Sequence, residues 1–253
     1  MSDITVVAAL QRLYDSIARR SPSLGYLNFG FADPDEPRGD GNLARLEKLC
    51  RRLYEEVLGS CPAAGRVLEI GCGRGGGAAY LLQERPGLEY LGLDLSTEHV
   101  CACRRRLASL PLARFAVADA ARLPVPSACF DAALSVEACH HFEDLDAFYG
   151  EVARVLRRGG VLLLAGIWEA GRDSARRIEA RGLRVLERAD ITANVVASLS
   201  RTGALRQELV NALDLPERFR PFLMSWAGVR GSGSYEELAS GERVYLRYRL
   251  QRP

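Results

Sequence analysis

The sequence predicts an α/β fold, with a mostly parallel, doubly wound sheet between layers of helices. Three features of the chain lead to this prediction. A strand, a glycine-rich turn and a helix follow one another over residues 66–82. Apolar strands then alternate with amphipathic helices to about residue 186, a rhythm typical of parallel strands joined by helical crossovers. Acidic residues, Asp94 and Asp119, stand directly after two of the predicted strands.

The chain before this pattern is predicted to form helices and a lid. Apolar residues at helical spacing predict a helix over residues 3–18 and another over residues 43–57. Between them lies the aromatic and glycine-rich stretch 24–31, followed by the turn-forming residues 33–37. We therefore assign residues 1–60 to N-terminal helices with a lid.

Residues 66–77 contain the most informative motif, with glycines at 71, 73 and 76 in the pattern G-x-G-x-x-G. Glycine lets the backbone turn sharply and approach a ligand closely, because no Cβ intervenes. The helix that follows would present its N-terminus to a bound group. The motif predicts a nucleotide-type site at the first strand, without identifying the nucleotide.

Apolar runs and their spacing assign the rest of the core. Further strands are predicted over residues 88–93, 114–118, 130–136, 161–167 and 182–186, with helices over 97–109 and 145–156. The run Arg-Arg-Gly-Gly at 157–160 is expected to end the second of these helices, since cations and glycine suit a helix C-terminus. Residues 61–191 thus form the predicted core, 192–238 a substrate-capping insertion and 239–253 a closing strand.

Composition and charge exclude several classes of function. The 253 residues are 48% hydrophobic and 26% charged, with a net charge of +2 and arginines spread along the chain, which gives no case for a nucleic-acid partner. No run approaches the ~20 apolar residues of a membrane span. Asp3 stands where a signal peptide would be basic, so we expect a cytoplasmic protein. The seven cysteines show no paired C-x-x-C spacing, which argues against a zinc site and a disulfide framework.

A series of motifs in consistent order resembles the class I S-adenosylmethionine-dependent methyltransferases over roughly residues 60–190. The series comprises Glu69-x-Gly71-x-Gly73-x-Gly75, Asp94, Ala118-Asp119, Leu123-Pro124, Phe130-Asp131 and the run at 154–160. Residues 239–246 are similar to the closing strand of small-molecule methyltransferases. The resemblance implies a Rossmann-like, seven-stranded sheet with helical lid elements at both ends of the chain. It also implies S-adenosyl-L-methionine as cofactor, S-adenosyl-L-homocysteine as product and no metal.

The resemblance further implies contacts with the donor at defined positions. They are Glu69, Gly71, Cys72, Gly73 and Gly75 around the methionine portion, Asp94 and Leu95 at the ribose, Asp119 and Ala120 at the adenine, and Tyr26 and Glu137 near the transferring methyl group or the methionine end. Taken singly, Asp94 and Asp119 would equally suit a helix cap or a turn. Cys72 would equally suit a small packing residue.

Two of the three histidines, His140 and His141, follow the fourth predicted strand. This segment resembles one in sugar and polyketide O-methyltransferases, where a histidine serves as general base and, in the sugar enzymes, an Asp after the fifth strand orients it. The nearest carboxylate here is Glu169. Three alternatives stay open: Glu169 substitutes, the base works unassisted, or catalysis is mainly proximity. A metal site at residues 140–144 is a further alternative to a solvated helix N-terminus.

Aromatic side chains are expected to shape the acceptor pocket, with ordinary core packing as the alternative for each. The candidates are Tyr14, Phe29, Trp168 and Trp226. The predicted function is O-methylation of a small molecule in natural-product metabolism, by a monomer or homodimer without nucleic-acid or membrane partners. N- or C-methylation and non-catalytic binding of S-adenosylmethionine are the alternatives.

Overall fold

A computed structural model describes residues 24–37, 42–172, 174–213 and 216–253. The predicted helix at 3–18, and with it Tyr14, lies outside these residues. The assignment of residues 1–60 to helices and lid is therefore described only from Leu24 onward. Within the described ranges, no helix is both long and apolar enough to cross a membrane.

The centre of the molecule is a seven-stranded sheet, which confirms the predicted fold class. Its strands are β1 (Gly65–Ile70), β2 (Leu88–Asp94), β3 (Ala113–Val117), β4 (Phe130–Val136), β5 (Leu156–Glu169), β6 (Arg184–Asp190) and β7 (Arg243–Gln251). They lie in the order β3-β2-β1-β4-β5-β7-β6. The first five strands pair in parallel, whereas β7 runs antiparallel to β5 and β6. The antiparallel direction brings the start of β7 to the carboxyl ends of the parallel strands.

Helices cover both faces of the sheet. They are α1 (Leu43–Leu58), α2 (Gly76–Glu84), α3 (Thr97–Arg106), α4 (Leu145–Val155), α5 (Ser174–Glu179), α6 (Thr192–Asn211), α7 (Arg220–Trp226) and α8 (Gly233–Ser240). Side chains alternate along the strands, so that Leu134 and Leu163 enter one core while Ala133 and Leu162 enter the other. This alternation explains why the strands read as continuous apolar runs.

The structure corrects two predicted boundaries. Helix α4 ends at Val155, and Leu156 is already extended with φ −67° and ψ 145°, so the Arg-Arg-Gly-Gly run does not cap the helix. That run belongs to β5, where Gly159 adopts φ +78° and the pairing with β4 shifts register between Phe130 and Ala132. The sixth strand likewise lies later than predicted, at Arg184–Asp190. The first misplacement arises because a short run of arginine and glycine suits helix ends and irregular strands alike. The second arises because β6 is a largely exposed edge strand, whose later residues are mostly polar and give no apolar run.

Helices α6, α7 and α8 occupy the chain between β6 and β7 and pack on one another. Because β7 pairs antiparallel with β6, the chain leaves the sheet at the end of β6 and re-enters it, after these helices, at the same edge. This part of the chain therefore stands at the edge of the sheet where β6 ends and β7 begins. The division of the chain into four segments stays a prediction.

Candidate active site

A cavity of about 350 Å³ opens at the carboxyl ends of the parallel strands. Its wall includes residues 25–29 of the lid (residues 24–31), parts of the glycine loop (residues 71–76) and the tips of β2, β3 and β4. Residues of α7 and α8, two of the three capping helices α6, α7 and α8, complete it. Ligands in open α/β sheets bind at this edge, where the strand order reverses between β1 and β4. Most of the residues predicted from the sequence meet here: Tyr26, Phe29, Gly71, Cys72, Gly73, Asp94, Leu95, Asp119, Ala120, Glu137, His140, His141 and Trp226.

The glycine loop is held against β2. The amides of Gly71 and Cys72 both donate to the carbonyl of Leu93, at 2.8 and 3.0 Å. Gly73 adopts φ +53°, and a Cβ built on it would meet only a methyl group of Leu27, at 4.0 Å. The loop backbone at Gly73 thus borders the open cavity, as close approach to a ligand requires.

Gly75 and Glu69 lie behind the cavity wall rather than on it. Gly75 precedes α2 with φ +76°, and a Cβ there would come within 3.1 Å of Cys103 Sγ, so its role in the described structure is the tight loop-to-helix turn. Glu69 is fully buried and accepts hydrogen bonds from the hydroxyls of Tyr54, at 2.7 Å, and Tyr90. Burial raises its pKa to about 7. Because Tyr54 lines the cavity, Glu69 supports the wall from behind.

Asp94 joins the loop to the second strand. Its Oδ2 accepts the amide of Gly73 at 2.8 Å and its Oδ1 accepts the amide of Ser96 at 2.9 Å. The Nδ1 of His99 lies 3.3 Å from the same Oδ1. A carboxylate has about four lone-pair sites, so Asp94 keeps capacity to accept further hydrogen bonds from a ligand.

Two further side chains of the donor half were not predicted as cavity residues. His99, the third histidine, is buried and contributes to the wall beside Asp94. Arg74 occupies an x position of the G-x-G-x-x-G motif, yet it is 4% exposed and also lines the cavity. Burial and the nearby charge of Arg106 lower its pKa. A helical position near Asp94 was a signal for His99, whereas nothing in the sequence indicated the burial of Arg74.

Asp119 and Ala120 form the wall at the tip of β3. Asp119 is exposed, and its Oδ1 accepts the amide of Ala121 at 2.9 Å. This bond is the turn role that we considered for Asp119 taken alone. Its second oxygen remains available, and so the turn and a ligand contact are compatible.

The stretch Leu24–Phe31 crosses the cavity as a lid. Its carbonyl at Gly25 accepts the amide of Gly76, at 3.1 Å, and its amide at Phe29 donates to Glu137 Oε2, at 2.9 Å. The ring of Tyr26 lies 5.7 Å from that of Tyr54. Burial raises the pKa of the Tyr26 phenol, so its hydroxyl stays protonated at neutral pH.

Arg206 of α6 attaches the lid to the capping helices, and sequence reasoning missed it. Its guanidinium donates to the carbonyls of Asn28 (3.0 Å), Phe29 (3.1 Å) and Ala227 (3.1 Å). The side chain is 7% exposed. Ser198, from the same helix, adds a bond to the carbonyl of Phe29 at 2.8 Å. The acceptors are backbone carbonyls at distant positions in the chain, so no local sequence pattern indicates these hydrogen bonds.

Glu137 stands at the junction of lid and sheet. It adopts φ +55°, an uncommon conformation for a residue with a side chain. Its Oε2 accepts the hydroxyl of Tyr245 at 2.8 Å in addition to the lid amide. Burial raises the pKa of Glu137 to about 7. Its contacts are those of a lid anchor on the cavity wall.

His140 and His141 share a short 3₁₀ turn, with ring centroids 4.1 Å apart. Burial lowers the pKa of His141 to about 4 and, together with the charges of His141 and Arg243, that of His140 well below its usual value. Both rings are therefore neutral at pH 7. The Nδ1 of His140 is buried and has no hydrogen-bonding partner within the described part of the chain.

Glu169 does not serve as the orienting carboxylate in this structure. It pairs with Arg172 at 2.6 Å, its side chain is 55% exposed, and it is not part of the cavity wall. Of the three alternatives for catalysis, the geometry supports an unassisted base or proximity. Glu169 cannot orient the histidines here because it is the exposed last residue of β5 and is paired with Arg172.

The acceptor half is formed by the tips of β4 and β5 with the capping helices. Ile167, Trp226, Ser234 and Arg243 contribute to its wall. Trp168 does not, because it follows Ile167 in the strand and faces the other core, where its ring meets Tyr248 edge-on at 5.4 Å. The expectation that Trp168 lines the pocket is therefore not met by the structure.

Residues 143 and 144 show helix-terminus geometry. Asp144 caps α4 by accepting the amide of Ala147 at 2.9 Å, and both Glu143 and Asp144 are exposed at the cavity rim. Among the residues that the structure describes, no group of three or more His, Cys, Asp or Glu side chains is placed to hold a metal ion.

Comparisons with known proteins agree with this geometry. Residues 68–164 match the family model described as a methyltransferase domain. The chain is 32% identical over 268 residues to a fatty-acid O-methyltransferase of Mycolicibacterium smegmatis, covering 99% of this chain and 93% of that protein. It is 33% identical over 223 residues to a phthiotriol/phenolphthiotriol dimycocerosates methyltransferase of Mycobacterium tuberculosis, covering 85% and 78%. The solved structure of the cyclase SpnF shares the fold, with a TM-score of 0.74, 20% identity and coverage of 96% and 95%.

Proposed function

The chain belongs to the class I S-adenosylmethionine-dependent methyltransferases, and on that premise we propose that it methylates an oxygen of a small, largely apolar acceptor. One observation carries the proposal. A single lidded cavity joins the glycine loop and Asp94 at one end to apolar side chains and neutral histidines at the other. Donor and acceptor can therefore meet in one cavity beneath the lid.

The donor half has the chemistry that S-adenosylmethionine needs. The open backbone at Gly73 and the remaining acceptor capacity of Asp94 would suit the donor's methionine and ribose portions, and Asp119 would suit the adenine amine. Arg74 would place a positive charge near the methionine carboxylate. When bound, the donor supplies an electrophilic methyl group on a sulfonium. The protein's task is to align the acceptor with that methyl group and to exclude water.

The acceptor half favours an apolar molecule with one reacting oxygen. Phe29, Ile167 and Trp226 give it apolar walls, beside the neutral imidazoles of His140 and His141 and the guanidinium of Arg243. The fatty-acid and phthiotriol methyltransferases that the chain resembles are named for lipid acceptors. We therefore place the acceptor among lipid-like or polyketide-like molecules of secondary metabolism, handled in the cytoplasm by a monomer or homodimer.

The test measures donor binding and turnover separately. Calorimetry with S-adenosylhomocysteine should show binding, and methyl-labelled S-adenosylmethionine should label apolar acceptors bearing hydroxyl or carboxyl groups. Asp94→Ala should weaken S-adenosylhomocysteine about 10- to 100-fold, through loss of charge-assisted hydrogen bonds. Asp146→Ala removes a partly exposed carboxylate on α4 that pairs with Arg177, away from the cavity wall, and should leave binding unchanged. Absence of binding by the wild-type protein, or transfer only to nitrogen or carbon acceptors, would overturn the proposal.

A further inference from the structure

Arg243 occupies an unusual place in the cavity wall. It is the first residue of β7 and pairs in register with Glu169 at the end of β5. Because β7 is antiparallel to β5, its first residue reaches the sheet edge at which the parallel strands end. The side chain of Arg243 consequently lines the cavity together with His140, Trp226 and Ser234.

The surroundings of Arg243 leave its positive charge effective toward the cavity. Its Nε lies 3.3 Å from Glu237 Oε2, and its side chain is 42% exposed, so this ion pair is solvated and weak. The positive charge of Arg243 nonetheless reaches the cavity, since it contributes to the lowered pKa of His140 on the same wall. Glu143 and Asp144 also border the cavity, but they are exposed at the rim, where water screens them. An anion entering the acceptor half would find one guanidinium beside neutral histidines.

A carboxylate is the nucleophile that suits this arrangement. Carboxylic acids are ionised at neutral pH, but an apolar cavity favours their uncharged form unless a cation pairs with the anion. A guanidinium matches a carboxylate in shape as well as charge. Methylation then needs no proton removal. A lone pair of the carboxylate oxygen forms the new O–CH₃ bond while the S–CH₃ bond of the donor breaks. The electron pair of the broken S–CH₃ bond stays on sulfur, and the products are a neutral ester and a neutral thioether.

A hydroxyl acceptor suits the site less well. Its proton would have to pass to a base as the O–CH₃ bond forms. The two histidines line the cavity with lowered pKa values, and the buried Nδ1 of His140 has no hydrogen-bonding partner in the part of the chain that the structure describes. A weakly basic, unassisted imidazole gives an alcohol little help, whereas a carboxylate needs none.

We propose that the acceptor is a carboxylic acid with an apolar tail, and that Arg243 binds its carboxylate and selects acids over alcohols. This inference rests on the proposed O-methylation and narrows it. Arg243 is an acceptor-binding residue here, and its loss should act on acceptor affinity rather than on the donor.

The experiment compares saturated fatty acids and primary alcohols of matched chain lengths, from butyl to octadecyl, with wild-type protein, Arg243→Gln, Arg243→Lys and Arg249→Gln. Arg249 lies on the same strand but is not part of the cavity wall, so it controls for loss of a β7 arginine. Arg243→Gln should raise KM for the acid about 10- to 100-fold, the range expected for a lost charge-assisted contact. Arg243→Lys should recover part of the loss. The KM for any alcohol turned over, and the affinity for S-adenosylhomocysteine, should stay within about 2-fold, as should all values for Arg249→Gln.

The outcomes distinguish a failure of this inference from a failure of the proposed O-methylation on which it rests. Wild-type turnover of alcohols but of no acid would overturn the carboxylate assignment and leave O-methylation standing. Binding of S-adenosylhomocysteine without methylation of any acid in the series would also overturn the assignment. An equal KM increase for acids and alcohols in Arg243→Gln would make its role structural, again against the inference. Failure of the wild-type protein to bind S-adenosylhomocysteine would instead remove the proposed function itself.

Discussion

Replacing Arg206 by glutamine should loosen the lid and weaken donor binding. The guanidinium makes charge-assisted hydrogen bonds to two lid carbonyls, those of Asn28 at 3.0 Å and Phe29 at 3.1 Å. Each such bond contributes ~1.5–3 kcal/mol, and glutamine can replace at most part of this set. We expect the closed lid to lose about 1.5–3 kcal/mol relative to the open lid. Because only the closed protein is fully competent to bind, apparent affinity should fall about 10- to 100-fold.

Titration calorimetry with S-adenosylhomocysteine measures this loss, and amide hydrogen exchange of residues 24–31 reports the lid directly. Arg201→Gln is the matched control, since Arg201 lies on the same helix and donates to the carbonyls of Pro34 and Glu36, away from the cavity. Ser198→Ala removes one neutral bond to the lid and should cause a smaller loss, about 2- to 10-fold. A folded Arg206→Gln protein that binds S-adenosylhomocysteine like wild type, with unchanged exchange in the lid, would refute the reasoning.

Three further predictions concern the histidines, a buried carboxyl group and a closely packed glycine of α2. Single His140→Ala and His141→Ala variants should leave S-adenosylhomocysteine affinity nearly intact, and because a carboxylate acceptor needs no base they should change its turnover by less than about 10-fold. A loss of ~100-fold or more in either variant would instead show that a histidine acts as general base. Glu69 has a pKa raised from 4.5 to about 7, so the folded protein retains a proton that the unfolded chain releases. Its contribution to the free energy of unfolding is therefore complete below about pH 4.5 and is lost as pH rises through 7, by up to about 1.4 kcal/mol per pH unit, and Glu69→Gln should flatten denaturant-derived stability over this range. Gly77→Ala should destabilise the protein by about 1–3 kcal/mol, because the new methyl group would lie 2.0 Å from the ring of Tyr54. The control Gly87→Ala has nothing within 4 Å of its new methyl group and should change the melting temperature little. Equal melting temperatures of the two variants would contradict the packing explanation.

Much of the fold follows from local patterns in the chain. The strand Phe130–Val136 and the helix Leu145–Val155 were predictable because apolar spacing and burial coincide there. The positions of Asp94 and Asp119 at the cavity followed from topology, since residues after parallel strands share one edge of a sheet. These inferences needed only the period of the pattern and the direction of the strands.

The remaining features depend on contacts between distant parts of the chain. The side chain of Arg206 donates to the carbonyls of Asn28 and Phe29, almost 180 residues away, and its helix gives no indication of these contacts. Trp168 was misplaced because two adjacent strand residues face opposite sides, and the sequence alone did not give the phase. Glu69 precedes the glycine loop and was expected near the donor, yet the two tyrosines that surround it come from other elements. Pairings of this kind become visible only when the fold is known.

The lid has attachments at both ends of the cavity, through Gly25 to α2 and through Phe29 to Glu137 and α6. A lid attached at both ends uncovers the donor half and the acceptor half of the cavity together when it opens. Departure of the spent nucleoside and of the methylated product would then share one gating event, and turnover on a reactive acceptor would be paced by that release step rather than by bond making. Viscosity-dependent steady-state rates would reveal such pacing.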